Sequence, residues 1–158
     1  WHCIGPVQSN KSRLVAEHFD WVHTVDRLKL AERLSAQRPA GLPALNVCIQ
    51  VNIDGGATKS GVAPADVAAL AQAIVGLPGL RLRGLMTIPD IAPDFAAQCA
   101  VHTGAKALFD AVKTGLSAGH AADFDTLSMG MSADLEAAIR CGSTLVRVGT
   151  AIFGGRVP

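Results

Sequence analysis

The stretch LNVCIQVNI, residues 45–53, decides the fold class. It is rich in β-branched residues and ends at the turn-forming DGG of residues 54–56, which is typical of a buried strand. An alanine- and leucine-rich segment over residues 65–75 has helical character, and LRLRGLMTI at residues 80–88 predicts the next strand. A strand, a helix and a strand at this spacing form a βαβ unit, whose two strands run parallel.

The same alternation continues on both sides of this unit. The pattern predicts further strands over residues 4–8, 21–26, 125–131 and 144–154, and further helices over residues 13–19, 28–38, 95–117 and 133–141. About six β units fit either a doubly wound open sheet or a (β/α) barrel. The sequence has no G-x-G-x-x-G turn, which disfavours the dinucleotide-binding form of the open sheet.

A closed barrel has eight strands and usually about 250 residues, whereas this sequence has 158 and starts at Trp1 in what resembles a mid-barrel strand. We therefore expect an α/β fold, a (β/α)8 TIM-type barrel, of which residues 1–158 form a single partial domain with about strands 3 to 8. Such a piece has two open edges, so we expect it to aggregate or to pair with a second copy.

The composition is that of a globular protein with a sizeable core. Hydrophobic residues make up 49% and charged residues 17%, and the mean hydropathy is +0.31. The net charge of +1 argues against a nucleic-acid partner. No apolar run is long enough to cross a membrane, and residues 1–11 lack the features of a signal peptide.

Cysteine usage indicates the compartment. Cys3, Cys48, Cys99 and Cys141 are widely spaced and form no C-x-x-C pair. This arrangement is typical of buried free thiols in a reducing compartment, so we expect a cytoplasmic protein without a metal site.

In such folds the ligand binds at the carboxyl ends of the strands, and one candidate is SMGMS, residues 128–132, before the helix at 133–141. Ser132 is placed to be the N-cap of that helix, and the N–H groups of a helix N-terminus bind phosphate. The alternative is a capped helix without a ligand, which the acidic Asp134 and Glu136 in the first turn favour.

A second candidate is RVGT, residues 147–150, where Arg147 interrupts an apolar strand. Burying a guanidinium costs several kcal/mol unless a partner compensates it, and Gly149 allows a ligand to approach the backbone. The phosphate site of a barrel often follows its last two strands. The alternative is a structural ion pair between Arg147 and a carboxylate.

Other candidates are weaker. Met86 would stand near the mouth of the barrel, although a core position is the more ordinary reading. Lys11 and Lys59 follow polar loops and are expected to be solvated lysines. The five histidines show neither pairing with Ser or Asp nor metal spacing, so we expect surface or core histidines.

Several of these segments together resemble one known family. They are WHCIGPVQSNK (1–11), LNVCIQVNID (45–54), KSGV (59–62), LRLRGLMTIP (80–89), LSMGMSADLEAAI (127–139) and STLVRVGTAIFG (143–154). The sequence resembles the YggS/PROSC family of pyridoxal 5'-phosphate (PLP) homeostasis proteins, which is similar to the N-terminal barrel domain of alanine racemase. The resemblance covers essentially the whole sequence.

The resemblance implies a PLP site. Ser132, Gly149 and Thr150 would bind the phosphate, and Arg147 would face the pyridine nitrogen. The methionines Met86 and Met131 complete the set of cofactor-binding residues that we expect. By the family pattern, the Schiff-base lysine lies upstream of Trp1.

The resemblance also implies the function. An arginine stays protonated, so the pyridine nitrogen beside it stays unprotonated and stabilises carbanions poorly. The sequence has no tyrosine, whereas alanine racemase uses one from its second domain. We therefore expect a PLP-homeostasis protein that has no catalytic residues and no established turnover, and PLP-dependent apo-enzymes are candidate partners. The alternatives are a PLP-dependent amino-acid racemase and, with less support, a phosphosugar isomerase or aldolase.

Overall fold

The computed structural model describes residues 1–56 and 59–154. In chain order the elements are β1 (His2–Cys3), α1 (Ser12–His18), β2 (Trp21–Val25), α2 (Leu28–Gln37), β3 (Leu45–Val51), a 3-10 turn (Pro64–Asp66), α3 (Val67–Val75), β4 (Leu80–Thr87), α4 (Phe95–Gly115), α5 (Ala118–Asp123), β5 (Thr126–Ser128), α6 (Leu135–Arg140) and α7 (Thr150–Phe153). The predicted alternation of strands and helices is confirmed.

The five strands form one parallel sheet in the order β1-β2-β3-β4-β5. The strand order therefore follows the chain order, and consecutive helices from α1 to α4 pack against each other. A doubly wound sheet would reverse its order at a switch point, whereas a barrel does not. The architecture is that of part of a (β/α) barrel, as the sequence predicts.

The core lies between this sheet and its helices. Helices α2 and α3 contribute residues one turn apart, Leu30 and Leu34 of α2 and Leu70 and Ile74 of α3, all of them buried. Strand β3 and the carboxyl half of β4 are almost wholly buried, as expected of parallel strands that are covered on both faces.

Strands β4 and β5 approach each other closely at Gly84. The φ angle of this residue is +156°, and a Cβ atom there would lie 1.7 Å from the carbonyl oxygen of Thr126. The register between β3 and β4 shifts at this point, where Val47 pairs with Leu82 and Cys48 pairs with Gly84. This irregularity brings β5 close to the carboxyl half of β4, where the candidate site begins.

Two of the predicted strands do not form as regular strands, and a third, predicted over 125–131, is shorter, Thr126–Ser128. Residues 4–8 are not a strand, because β1 ends at Cys3 and the ring of Pro6 leaves no N–H to donate to a ladder. Residues 144–154 form only an isolated parallel bridge, between Ser128 and Leu145, followed by the short helix α7. The N–H of Arg147 still donates to the carbonyl of Gly130 at 3.0 Å, so this segment runs beside β5 without becoming a regular strand.

Helix boundaries differ less from the predictions. Helix α5, Ala118–Asp123, was not predicted, and α6 begins at Leu135 rather than at residue 133. Among the described residues, no helix is both long and apolar enough to cross a membrane. In the same part of the chain all four cysteines are free thiols, and Cys48 is fully buried.

Candidate functional site

A cavity of about 840 Å³ opens beside the carboxyl ends of β4 and β5, which is within the range of small-molecule sites. Its lining comes from the loop after β3, the loop after β4, the loop after β5, and the segment that leads into the start of α7. The lining residues are Lys59, Ile88, Pro89, Asp90, Ile91, Gly130, Met131, Ser132, Ala133, Asp134, Arg147 and Thr150. The cavity lies where parallel α/β folds bind their ligands.

Arg147 is the buried cation of this cavity, with only 8% of its surface exposed. Its Nη1 donates to Ser128 Oγ at 2.7 Å and its Nη2 donates to the backbone oxygen of Thr87 at 2.8 Å. Its Nε is buried and has no hydrogen-bond partner. An unpaired buried N–H costs about 1–3 kcal/mol, which an acceptor atom of a ligand at this position would offset.

No carboxylate pairs directly with Arg147 within the described ranges, so the alternative of a structural ion pair is wrong. Burial lowers the pKa of Arg147, while the charge of Asp134 partly opposes this effect. The guanidinium remains protonated, because the ordinary pKa of an arginine lies far above neutral pH. The site therefore holds a desolvated positive charge that an anionic ligand would compensate.

The loop over residues 130–134 is fixed by Asp134. One carboxylate oxygen of Asp134 accepts from the N–H of Met131 at 2.7 Å, and the other lies 2.9 Å from Nε2 of the buried His102 on α4. Gly130 begins the loop with a φ of +92°, in the left-handed region that favours glycine. The loop is thus tied to α4, and it presents its residues to the cavity.

The predicted N-cap role of Ser132 is wrong. Helix α6 begins at Leu135, and its N-cap is Asp134, whose side chain makes no capping bond. The carboxylate of Asp134 instead closes the turn onto Met131, which displaces the helix start by two residues. Ser132 is exposed and lines the cavity, so its hydroxyl remains available to a ligand.

The other predicted residues divide into two groups. Met131 and Thr150 line the cavity together with Ser132 and Arg147. Gly149 lies outside the lining, immediately before α7, and a Cβ atom on it would meet nothing within 4 Å. Met86 is fully buried and lies outside the lining, which fits its alternative reading as a core residue.

Lys59 is closer to the site than the sequence indicated. Its Nζ lies 2.6 Å from a carboxylate oxygen of Asp90, and both residues line the cavity. The hydrogen bond that Lys59 donates to Asp90 raises the pKa of Lys59. The pair therefore adds one positive and one negative charge to the cavity mouth without changing its net charge.

Two buried histidines have polar partners that the sequence did not reveal. His23 Nδ1 lies 3.1 Å from Ser128 Oγ, and His102 pairs with Asp134. Burial lowers the pKa of His23 to about 4, with smaller effects from His2 and Arg147. Ser128 is 105 residues from His23 along the chain, and Asp134 is 32 residues from His102. A local sequence motif therefore cannot predict these pairs.

The cavity combines a buried guanidinium, an exposed hydroxyl and apolar walls made by Ile88, Pro89 and Ile91. Such a site suits a small ligand that has an anionic group and an apolar, ring-like body carrying an acceptor. No group of three or more potential metal ligands occurs in the part of the chain that the structure describes.

Comparison with known proteins identifies relatives across the whole chain. The family model "Alanine racemase, N-terminal domain" matches residues 1–157. A pyridoxal phosphate homeostasis protein from Pseudomonas aeruginosa is 60% identical over 156 residues, which cover 99% of this chain and 64% of that protein. The protein of the same name from Escherichia coli K12 is 56% identical with the same coverage. The chain thus spans just under two thirds of the length of these relatives.

Solved structures agree with this assignment. PipY of Synechococcus elongatus PCC7942 without PLP superposes with a TM-score of 0.85 at 36% identity, over 98% of this chain and 70% of PipY. The structure of PipY with PLP bound superposes with a TM-score of 0.84 at 35% identity and the same coverage. Alanine racemase from Corynebacterium glutamicum, at 15% identity and a TM-score of 0.69, shares the fold, over 96% of this chain and 41% of that chain. By sequence and by structure, this chain belongs to the alanine racemase N-terminal domain family.

Proposed function

We propose that this chain is the greater part of a PLP-binding protein of the homeostasis type, which carries the cofactor without turning over a substrate. The relatives at 52–60% identity bear the name pyridoxal phosphate homeostasis protein, and PipY has been solved with PLP bound. We further propose that residues 1–158 belong to a single barrel domain. The free thiols of the described residues support a reducing, cytoplasmic setting.

The observation that carries this proposal is the unpartnered Nε of Arg147. A pyridine nitrogen accepts one hydrogen bond in the plane of its ring, which matches a single guanidinium donor. The same residue supplies buried positive charge that no carboxylate of the described chain pairs with directly. A phosphorylated heterocycle satisfies both features.

The phosphate would bind at the exposed end of the cavity. Ser132 contributes a hydroxyl, and Thr150 contributes a hydroxyl and lies at the start of α7. Gly149 leaves open space beside its backbone, which allows an oxyanion to approach. Met131, half-exposed in the lining, would pack against the ligand.

When bound, PLP supplies a reactive aldehyde and an electron-withdrawing ring. The charged residues of the described lining are not suited to proton abstraction from a substrate, because Lys59 is paired with Asp90 and Asp134 is tied to His102. Arg147 keeps its proton and leaves the pyridine nitrogen unprotonated. This set of residues favours carriage over racemisation.

Titration of the full-length protein with PLP tests this proposal. We expect saturable binding, measured by the change in visible absorbance and by the rise in melting temperature. Arg147→Gln should weaken binding about tenfold or more, since a hydrogen bond to a charged donor contributes about 1.5–3 kcal/mol. Arg13→Gln is the matched control, because the Arg13 side chain is 68% exposed and lies outside the cavity. Wild-type protein that shows no saturable response would refute the proposal.

The racemase alternative is separated by incubating the PLP-loaded protein with L-alanine. We expect no D-alanine above a blank that contains free PLP, and clear turnover would favour the enzyme. Delivery to apo-enzymes is tested by mixing the loaded protein with a PLP-free enzyme. Recovery of activity faster than with the same concentration of free PLP would support PLP-dependent apo-enzymes as partners.

A further inference from the structure

A line of hydrogen bonds runs behind Arg147, from the buried Ser128 and His23 to the exposed His2. Ser128 lies on β5 and His23 lies on β2, and both are fully buried. Arg147 Nη1 lies 2.7 Å from Ser128 Oγ, Ser128 Oγ lies 3.1 Å from His23 Nδ1, and His23 Nε2 lies 2.9 Å from Nδ1 of His2. None of these partners lines the cavity.

Counting protons assigns the direction of each bond. Arg147 is a donor only, so Ser128 Oγ accepts from it. Ser128 has one hydroxyl proton, and Nδ1 of His23 is the acceptor beside it. In this order Nδ1 of His23 is unprotonated, and the proton of neutral His23 is on Nε2, from which it donates to His2.

The burial of His23 agrees with this assignment. Desolvation holds the pKa of His23 far below its usual value, so the ring is neutral at pH 7 and can accept a hydrogen bond at Nδ1. A protonated ring would present a second donor to Ser128 Oγ and would leave the hydroxyl proton without this acceptor.

We propose that Ser128 and His23 are positioning residues that fix the guanidinium of Arg147 for its ligand, an inference that rests on the proposed function. Two anchors, Ser128 Oγ and the backbone oxygen of Thr87, occupy Nη1 and Nη2 and leave Nε free. Thr87 acts through its backbone, so its contribution does not depend on its side chain. Ser128 depends on His23, which orients its hydroxyl.

Fixing the guanidinium matters because an arginine side chain has four rotatable bonds and loses considerable entropy when it is immobilised. Here the side chain of Arg147 is already immobilised in the unliganded protein, so ligand binding loses less free energy to ordering it. Without Ser128, the guanidinium would keep a single anchor and could rotate its Nε away from the ligand.

The first experiment needs no ligand. Long-range ¹H–¹⁵N correlation spectra of the ¹⁵N-labelled wild-type protein at pH 7 report which ring nitrogen of His23 is protonated. We expect protonation at Nε2 alone. Protonation at Nδ1 would overturn the inference whether or not PLP binds, because His23 would then be a donor to Ser128.

The second experiment measures PLP affinity and the absorbance maximum of the bound cofactor. Ser128→Ala and His23→Leu should each weaken binding roughly tenfold and shift that maximum, whereas Ser128→Thr, which keeps the hydroxyl, should restore both. Ser12→Ala is the matched control, since Ser12 is an equally buried hydroxyl on α1 outside the cavity lining. Ser128→Ala with wild-type affinity and spectrum would overturn the inference.

The two hypotheses fail differently. If the wild type does not bind PLP, the proposed function is refuted, and the spectra of His23 still test the hydrogen-bond order. If the wild type binds and the Ser128 and Ser12 variants lose affinity equally, the loss is one of general stability, and the positioning role is refuted while the proposed function stands.

Discussion

Substituting alanine for Gly149 should weaken PLP binding and leave the stability of the unliganded protein almost unchanged. The backbone of Gly149 has a φ of −118°, on the side that L-residues adopt, and an added Cβ atom would meet no atom within 4 Å. We therefore expect the free energy of unfolding of the unliganded protein to change by no more than about 0.5 kcal/mol. If the phosphate approaches this backbone as proposed, the new methyl group takes up its space and weakens PLP binding about tenfold, or about 1.4 kcal/mol.

The loss of PLP affinity in Gly149→Ala can be measured from melting curves. At a PLP concentration 100 times the dissociation constant, binding stabilises the wild type by about 2.7 kcal/mol. A tenfold weaker variant at the same concentration gains only about 1.4 kcal/mol. The difference corresponds to roughly 3–5 °C of ligand-induced shift for a protein of this size class. Differential scanning fluorimetry with and without PLP resolves such a shift.

Gly130→Ala is the matched control for Gly149→Ala. It adds the same methyl group to another loop at the cavity, but at a φ of +92° and 2.4 Å from the Cβ of Ala138. We expect this variant to lose several kcal/mol of stability even without PLP, because α6 must move. Gly149→Ala with an unchanged PLP-induced shift would refute the placement of the phosphate at Gly149.

Three further outcomes are expected. Gly84→Ala should abolish cooperative unfolding measured by circular dichroism, because the Cβ atom of the new alanine would overlap the carbonyl oxygen of Thr126. A normal melting curve would contradict the close approach of β4 and β5. His23 has a folded-state pKa of about 4 against an ordinary 6.5, so the unfolded chain binds the proton first and stability is lost as the pH falls from about 6.5 towards 4. Chemical denaturation should show a loss of about 3 kcal/mol in the free energy of unfolding of the wild type. The His23→Gln variant should not show this loss. Equal pH dependence in both proteins would show that His23 is not buried as a neutral ring. Burial raises the pKa of Cys48 to about 12, so this thiol should resist maleimide in the native protein and react with it after denaturation. Mass spectrometry follows the modification. Modification of native Cys48 at the rate of the half-buried thiols would contradict its position in the core.

The order of the strands was predictable because its signals are local. Residues 45–53 and 80–88 carry β-branched and apolar runs between turn residues, and β3 and β4 fall inside these ranges. The helix between them has its own apolar periodicity, and α3 ends at Val75 as expected. Parallel pairing then follows from the length of each crossover.

The last segment shows where local signals fail. Residues 144–154 alternate like a strand, but a strand is defined by the ladder that it forms with a neighbour, and only one bridge, at Leu145, is present. The start of α6 was misplaced for a related reason. The sequence marks Ser132 as a cap, yet the carboxylate of Asp134 forms the competing turn with Met131.

The site was predictable only in part. The resemblance named residues that the structure brings together, since Met131, Ser132, Arg147 and Thr150 all line the cavity. The groups that surround Arg147 were not accessible to sequence reasoning. Thr87 contributes a backbone oxygen, which any residue provides, and Ser128 and His23 are joined across 105 residues.

The agreement between strand order and chain order has a consequence for how the protein is made. Each new strand pairs with the one synthesised just before it, and β3 with β4 forms the longest ladder, of seven residue pairs. A nascent chain can therefore add one unit at a time to a sheet that already exists on the ribosome, without waiting for a distant segment. Arg147 meets its partners on β4 and β5 only after both strands have emerged.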